Sequence, residues 1–154
     1  MFDLIKGNLT RQFKGLELLQ ILLQEEFDLL CQRDTDAITN LEFSIHELLR
    51  QLAVERVELK KTMQETSLLE YSTMVPEEEG MDIKRLYHLI DSLEQHCSKQ
   101  ASQNAEVSLS LLDQSQSLLN FLHEQITPKH QGLYSADGKY RDERPFAALI
   151  SGRL

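Results

Sequence analysis

The sequence predicts an all-α protein: an antiparallel helical hairpin plus one long third helix, packed as a coiled-coil-like three-helix bundle, with a flexible C-terminal tail. Three observations carry this. Apolar residues recur at seven-residue spacing over most of the chain. The 154 residues include only six Gly and three Pro, too few for the tight turns of sandwiches, barrels and wound sheets. Interruptions at 32–36, at 66–81 and after 127 separate the periodic stretches. The helices therefore fall at about 3–31, 36–65 and 82–127. Residues 1–128 make the bundle and 129–154 the tail.

In helix one, Phe2, Leu9, Leu16, Leu23 and Leu30 form a heptad row flanked by Ile5, Phe13, Leu19 and Phe27. Gly7 and Gly15 each weaken its first half by roughly 1 kcal/mol relative to Ala, so fraying is expected there. Residues 32–36 are polar, and Asp34 or Thr35 can cap a second helix, with Asp36 suited to its positive end. The seam of that helix is Ile38, Leu41, Ile45, Leu48, Leu52 and Leu59, and its outer face is charged. So short a connection between two long helices implies an antiparallel hairpin.

Pro76, the run Glu77-Glu78-Glu79 and Gly80 mark residues 66–81 as a linker. Asp82 is a plausible cap for helix three. From Ile83 to Thr127 there is no Pro or Gly, and a continuous helix of that span would measure roughly 68 Å. Its seam is Ile83, Leu86, Ile90, Leu93 and Cys97, then Val107, Leu111, Leu118 and Phe121. Between these, residues 98–104 are polar and nearly seamless, so a kink, a split and an extension beyond the hairpin all stay open.

Charge and composition remove several function classes. The formal net charge is −9, and such a chain offers phosphate backbones no electrostatic footprint, so no nucleic-acid partner is expected. Cys31 and Cys97 cannot form a disulfide framework and suit a reducing compartment, with both expected as buried free thiols. The N-terminal residues lack the basic start and apolar run of a signal peptide. No stretch reaches the roughly 18 apolar residues of a membrane span, so direct membrane insertion is not expected. The expectation is a soluble, cytoplasmic protein.

Catalytic chemistry finds little support. The residues three before the five histidines are Phe43, Arg85, Leu93, Asn120 and Thr127, so the Glu-x-x-His pairs of di-iron bundles are absent. Glu42 and His46 share one helix face, but two ligands fall short of the four a tetrahedral site takes. His96 and Cys97 point roughly 100° apart on a helix, which disfavours a nucleophile–base pair. There is no glycine loop for phosphate and no Gly-x-Ser-x-Gly elbow. A non-enzymatic protein with no metal and no cofactor is expected.

What remains is apolar helical surface in surplus. Helix one has a second row, Leu18, Leu22 and Leu29, opposite its seam. The end of helix three adds Leu112, Leu119, Leu122 and Ile126 beside its own seam, widening the stripe to roughly 180°. Internal burial or dimerisation would account for this. So would a surface kept for an amphipathic partner helix. Periodicity alone does not choose.

The last 26 residues carry five basic and three acidic side chains, a net +2 against −9 for the whole chain, which leaves −11 on residues 1–128. Two apolar clusters, Leu133-Tyr134 and Phe146-Ala147-Ala148-Leu149-Ile150, interrupt this turn-rich arm. Segments of that kind order on a partner or fold back onto the body.

With these residues in view, the chain resembles the FlgN-type flagellar export chaperones. The Leu- and Glu-rich stretch from Leu16 to Glu26, and the break Gln32-Arg33-Asp34-Thr35-Asp36-Ala37-Ile38, suit that family but are shared by many helical proteins. More specific is Asn120-Phe121-Leu122 followed by Leu133-Tyr134-Ser135-Ala136-Asp137-Gly138, which looks like the family's Tyr-x-x-x-Gly tail signature. The stretch from Arg141 to Ile150 departs from the pattern, and its role stays open.

The resemblance implies a cytoplasmic chaperone for hook-filament junction proteins. It would cover their amphipathic terminal helices, prevent premature assembly and deliver them to the flagellar type III export gate. By the same resemblance the C-terminal part holds the client, and Tyr134 contacts the gate component. On this reading Leu112, Leu119, Leu122 and Ile126, with Phe146, Leu149 and Ile150 of the tail, bind the client, and the protein is a monomer or weak dimer. The alternative is a non-enzymatic coiled-coil scaffold or adaptor that self-associates.

Overall fold

A computed structural model describes residues 1–64 and 66–126. Its elements are α1 (Phe2–Gln32), α2 (Thr35–Met63), α3 (Leu68–Met74) and α4 (Glu77–Ile126), with no strand among the described residues. The fold is all-α, as the heptad rows predict. The chain divides into two compact units, Met1–Gln114 and Ser115–Leu154. The second is described only as far as Ile126, the end of α4. The expected tail, 129–154, lies outside the described residues.

In the first unit the α1–α2 hairpin closes in two residues. Arg33 takes the left-handed conformation (φ 59°), and its amide and that of Asp34 donate to the Leu30 and Leu29 carbonyls, answering two acceptors the helix end would leave unpaired. Asp34 then caps α2 by accepting from the Ala37 amide at 3.1 Å. One terminator and one initiator thus sit side by side, and the chain has to reverse.

The helices pack around α1. Ile5, Leu9, Leu16, Leu19 and Leu23 meet Ile45, Leu52 and Met63 of α2 and Ile83, Ile90 and Cys97 of α4 in one core. α1 and α4 run parallel and in step. The Cys97 thiol donates to the Leu16 carbonyl, Asn104 to the Leu23 carbonyl, and Arg33 to Gln114, each pair separated by 81 residues. A shift of 81 lays the heptad row of α1 onto Ile83, Ile90, Cys97, Asn104 and Leu111. An Arg56–Glu94 ion pair ties α2 to α4, so the order is up, down, up.

Two expectations need correction. The first half of α1 does not fray: Ile5 and Leu9 are 0 and 1% exposed and lie at the centre of the core. Gly15 serves the packing, because a Cβ there would stand 2.8 Å from the Leu52 side chain. The linker at 66–81 is largely helical. Ser67 and Glu70 form a capping box that starts α3, and the Pro76 carbonyl accepts from Gly80 to start α4 five residues before Asp82. Pro suits that position because it needs no amide proton there. Three glutamates follow in the first turn, where the helix dipole favours negative charge. Gly80 is required by close approach, since a Cβ would fall 2.2 Å from the Ser72 carbonyl oxygen. At 98–104, where the sequence left the course of the helix open, α4 runs unbroken.

Candidate partner-binding surface

The first unit buries a heptad core, although large apolar side chains such as Leu4, Ile21 and Phe43 stay exposed at 70, 62 and 76%. Its buried polar side chains are satisfied as well. Asn8 donates to the backbone and carboxylate of Glu55 and accepts from Gln12. Glu55 also holds Arg11 at 2.7 Å, and that guanidinium keeps its carboxyl below the ordinary range. Lys6 does the same for Asp82 across α1 and α4.

The end of α4 is built differently. From Leu112 to Ile126 every described side chain is exposed. Leu112 is 52% exposed, in the last turns of the first unit, and in the second unit Leu119, Leu122 and Ile126 are 65, 43 and 68% exposed. The spacing of three and four residues sets Leu119, Leu122 and Ile126 on one face of the second unit's helical segment. Leu118 and Phe121, expected in the seam, are exposed on the neighbouring arc. From 115 to 126 the sequence has one carboxylate, Glu124, and no Lys or Arg. This face has no array of charges with which to select a ligand. It can offer apolar area, at about 1.5–3 kcal/mol for each such side chain fully buried by a partner.

Of the residues singled out in the sequence, Leu119, Leu122 and Ile126 therefore share one exposed stripe, and Leu112 of the first unit is exposed as well. Phe146, Leu149, Ile150 and Tyr134 lie outside the described residues. Glu42, His46 and His96 are exposed; of the two thiols expected to be buried, Cys97 is, whereas Cys31 is exposed. Burial, with Glu94 adding to it, pushes the Cys97 thiol up, away from the thiolate a nucleophile requires. Among the described residues no group of three or more His, Cys, Asp or Glu is placed to hold a metal, and no helix is long and apolar enough to cross a membrane.

Two features of the first unit escaped the sequence reading. An apolar groove of about 450 Å³ opens between α2 and α4, floored by Leu16, Leu19 and Leu23 and walled by Leu49, Ala53 and Ala101. Asn104 is buried, 3% exposed, in a position the heptad assigns to an apolar residue. Its spacing of seven from both Cys97 and Leu111 was the available signal.

A family model described as FlgN protein matches residues 1–142. That span takes in all four helices and reaches beyond Tyr134. Comparison with curated proteins and with solved structures returned no match.

Proposed function

The chain belongs to the FlgN protein family, and from that premise we propose that it shelters the amphipathic terminal helices of hook-filament junction proteins and hands them to the flagellar type III export gate. Membership implies a flagellar export chaperone role; the client, the gate and the cytoplasmic setting are our reading. The observation that supports it most is the exposed stripe Leu119, Leu122 and Ile126, with Leu112 of the first unit exposed as well. A client helix that packs only in the assembled filament carries an apolar face of its own. Two such faces bury each other without any need to match charges.

The role asks for no covalent chemistry, and we assign no catalytic residue. Grip should be moderate. Burying a few leucines gains several kcal/mol, against the entropy of ordering the segments that join the complex. A chaperone that must release its cargo works in that range. Tyr134 is assigned to the gate contact and Phe146, Leu149 and Ile150 to the client.

Calorimetric titration with a terminal-helix peptide of a hook-filament junction protein tests the stripe. Leu119→Glu with Leu122→Glu should weaken binding more than tenfold, because each buried carboxylate would lack a partner, while helicity and melting stay unchanged. Equal affinity for the wild type and this variant refutes the assignment. Light scattering separates the alternative: a stable dimer formed through the same stripe would make the protein a self-associating scaffold.

A further inference from the structure

We propose that Asn104 is a polar clasp, a built-in opening point that lets the end of α4 loosen while the rest of the first unit stays closed. Asn104 is the last buried residue of α4. Its side-chain amide donates to the Leu23 carbonyl at 2.8 Å and to Glu26 Oε2 at 2.6 Å, and its oxygen accepts from Gln100 at 3.0 Å. Before it, Ile83, Ile90 and Cys97 of α4 stand in the common core. After it, Val107 and Leu111 are half-buried, the Arg33–Gln114 hydrogen bond is exposed, and from Leu112 onward nothing described is buried.

The chemistry of the residue matters as much as its place. A segment held by few buried apolar contacts opens locally, well below the cost of global unfolding. A helical segment of about 20 residues, such as 107–126 where no described side chain is fully buried, gains little from its own helix formation in water. A leucine at 104 would lose its whole burial energy on opening. An asparagine trades three protein hydrogen bonds for water, so its net loss is small. The same groups are costly to leave unpaired in the closed state, so closure at this point is directional and opening is cheap. The clasp therefore separates a part of α4 that moves only with the core from a part that breathes by itself.

Amide hydrogen exchange on the full-length protein tests this without any partner, so its outcome is independent of the client assignment. In the wild type, protection should be high through Cys97 and fall sharply beyond Val107. Asn104→Ala should raise exchange over 107–126 about tenfold, and Asn104→Leu should lower it. Peptides covering Leu16 to Leu23 and Ile45 to Leu52 should keep their wild-type rates in both variants. The proposal is overturned if exchange over 107–126 ignores both substitutions, if both move it in the same direction, or if the change spreads evenly over the first unit.

Discussion

The two halves of α4 are one helix with the same seven-residue rhythm, yet they meet different surroundings. Up to Cys97 the rhythm is answered: Ile83, Ile90 and Cys97 are buried in one core with the heptad leucines of α1, and the Cys97 thiol donates to the Leu16 carbonyl, 81 positions back. From Leu112 onward it continues with leucines, and the described neighbours bury none of them. Periodicity states which face of a helix is apolar. Only the presence or absence of a second surface decides whether that face becomes core or stays available.

This contrast can be tested by deletion of side chains. Leu9→Ala or Ile83→Ala, at residues 0–1% exposed, should cost about 2–5 kcal/mol in urea unfolding through lost burial and a residual cavity. Leu119→Ala should stay within about 0.5 kcal/mol. Comparable losses at Leu9 and Leu119 would abolish the distinction between the two halves.

A second test sharpens the picture at the start of α4. Gly80→Ala drives a methyl into the Ser72 backbone and should destabilise by about 1–3 kcal/mol. Gly7→Ala faces open space apart from Arg11 at 3.6 Å and should stabilise by up to about 1 kcal/mol. Opposite signs in thermal melts would separate the glycine that packs from the one that merely sits in a helix.

The smallest effect is acidification. Glu55, Asp82 and Glu70 titrate below their ordinary values, through Arg11, Lys6 and the Ser67 cap respectively. Glu47, beside Arg50, is lowered to about 2. A carboxyl depressed in the folded state binds fewer protons there than in the unfolded chain. Its contribution is whole above the ordinary carboxylate range and fades as pH falls through the depressed value. Melting temperature should therefore decline between about pH 4.5 and 2, modestly, because these pairs are solvent-screened. The loss should belong to the first unit, which contains all four pairs. A flat profile would show that the pairs contribute nothing.

Much of the fold was legible. The heptad rows of α1 and α2, the cap at Asp34 and the all-α class follow from spacing and turn chemistry. The stretch 66–81 was misread because Pro76 and Gly80 are strong breakers in isolation. Here Pro occupies a helix start and Gly a backbone crossing, and neither context is local. The Ser67-x-x-Glu70 box was a readable start signal that the breakers outweighed. Asn8, Gln12 and Asn104 went unseen as core residues because burying a polar group depends on a partner from another helix. The spacing of Leu112, Leu119, Leu122 and Ile126 was visible as a pattern in the sequence. Its exposure was not, since no local property of a leucine says whether a neighbour covers it.

The matched stride of α1 and α4 has a genetic consequence. Removing one residue from the middle of either rod would rotate everything beyond it by about 100° and put charged side chains where leucines had met. Shortening or lengthening that keeps the partners aligned comes in sevens, and in both rods together. An insertion of seven in α1 alone would leave an unmatched bulge, whereas the same insertion in α1 and α4, with α2 extended to follow, would yield a longer molecule of the same design.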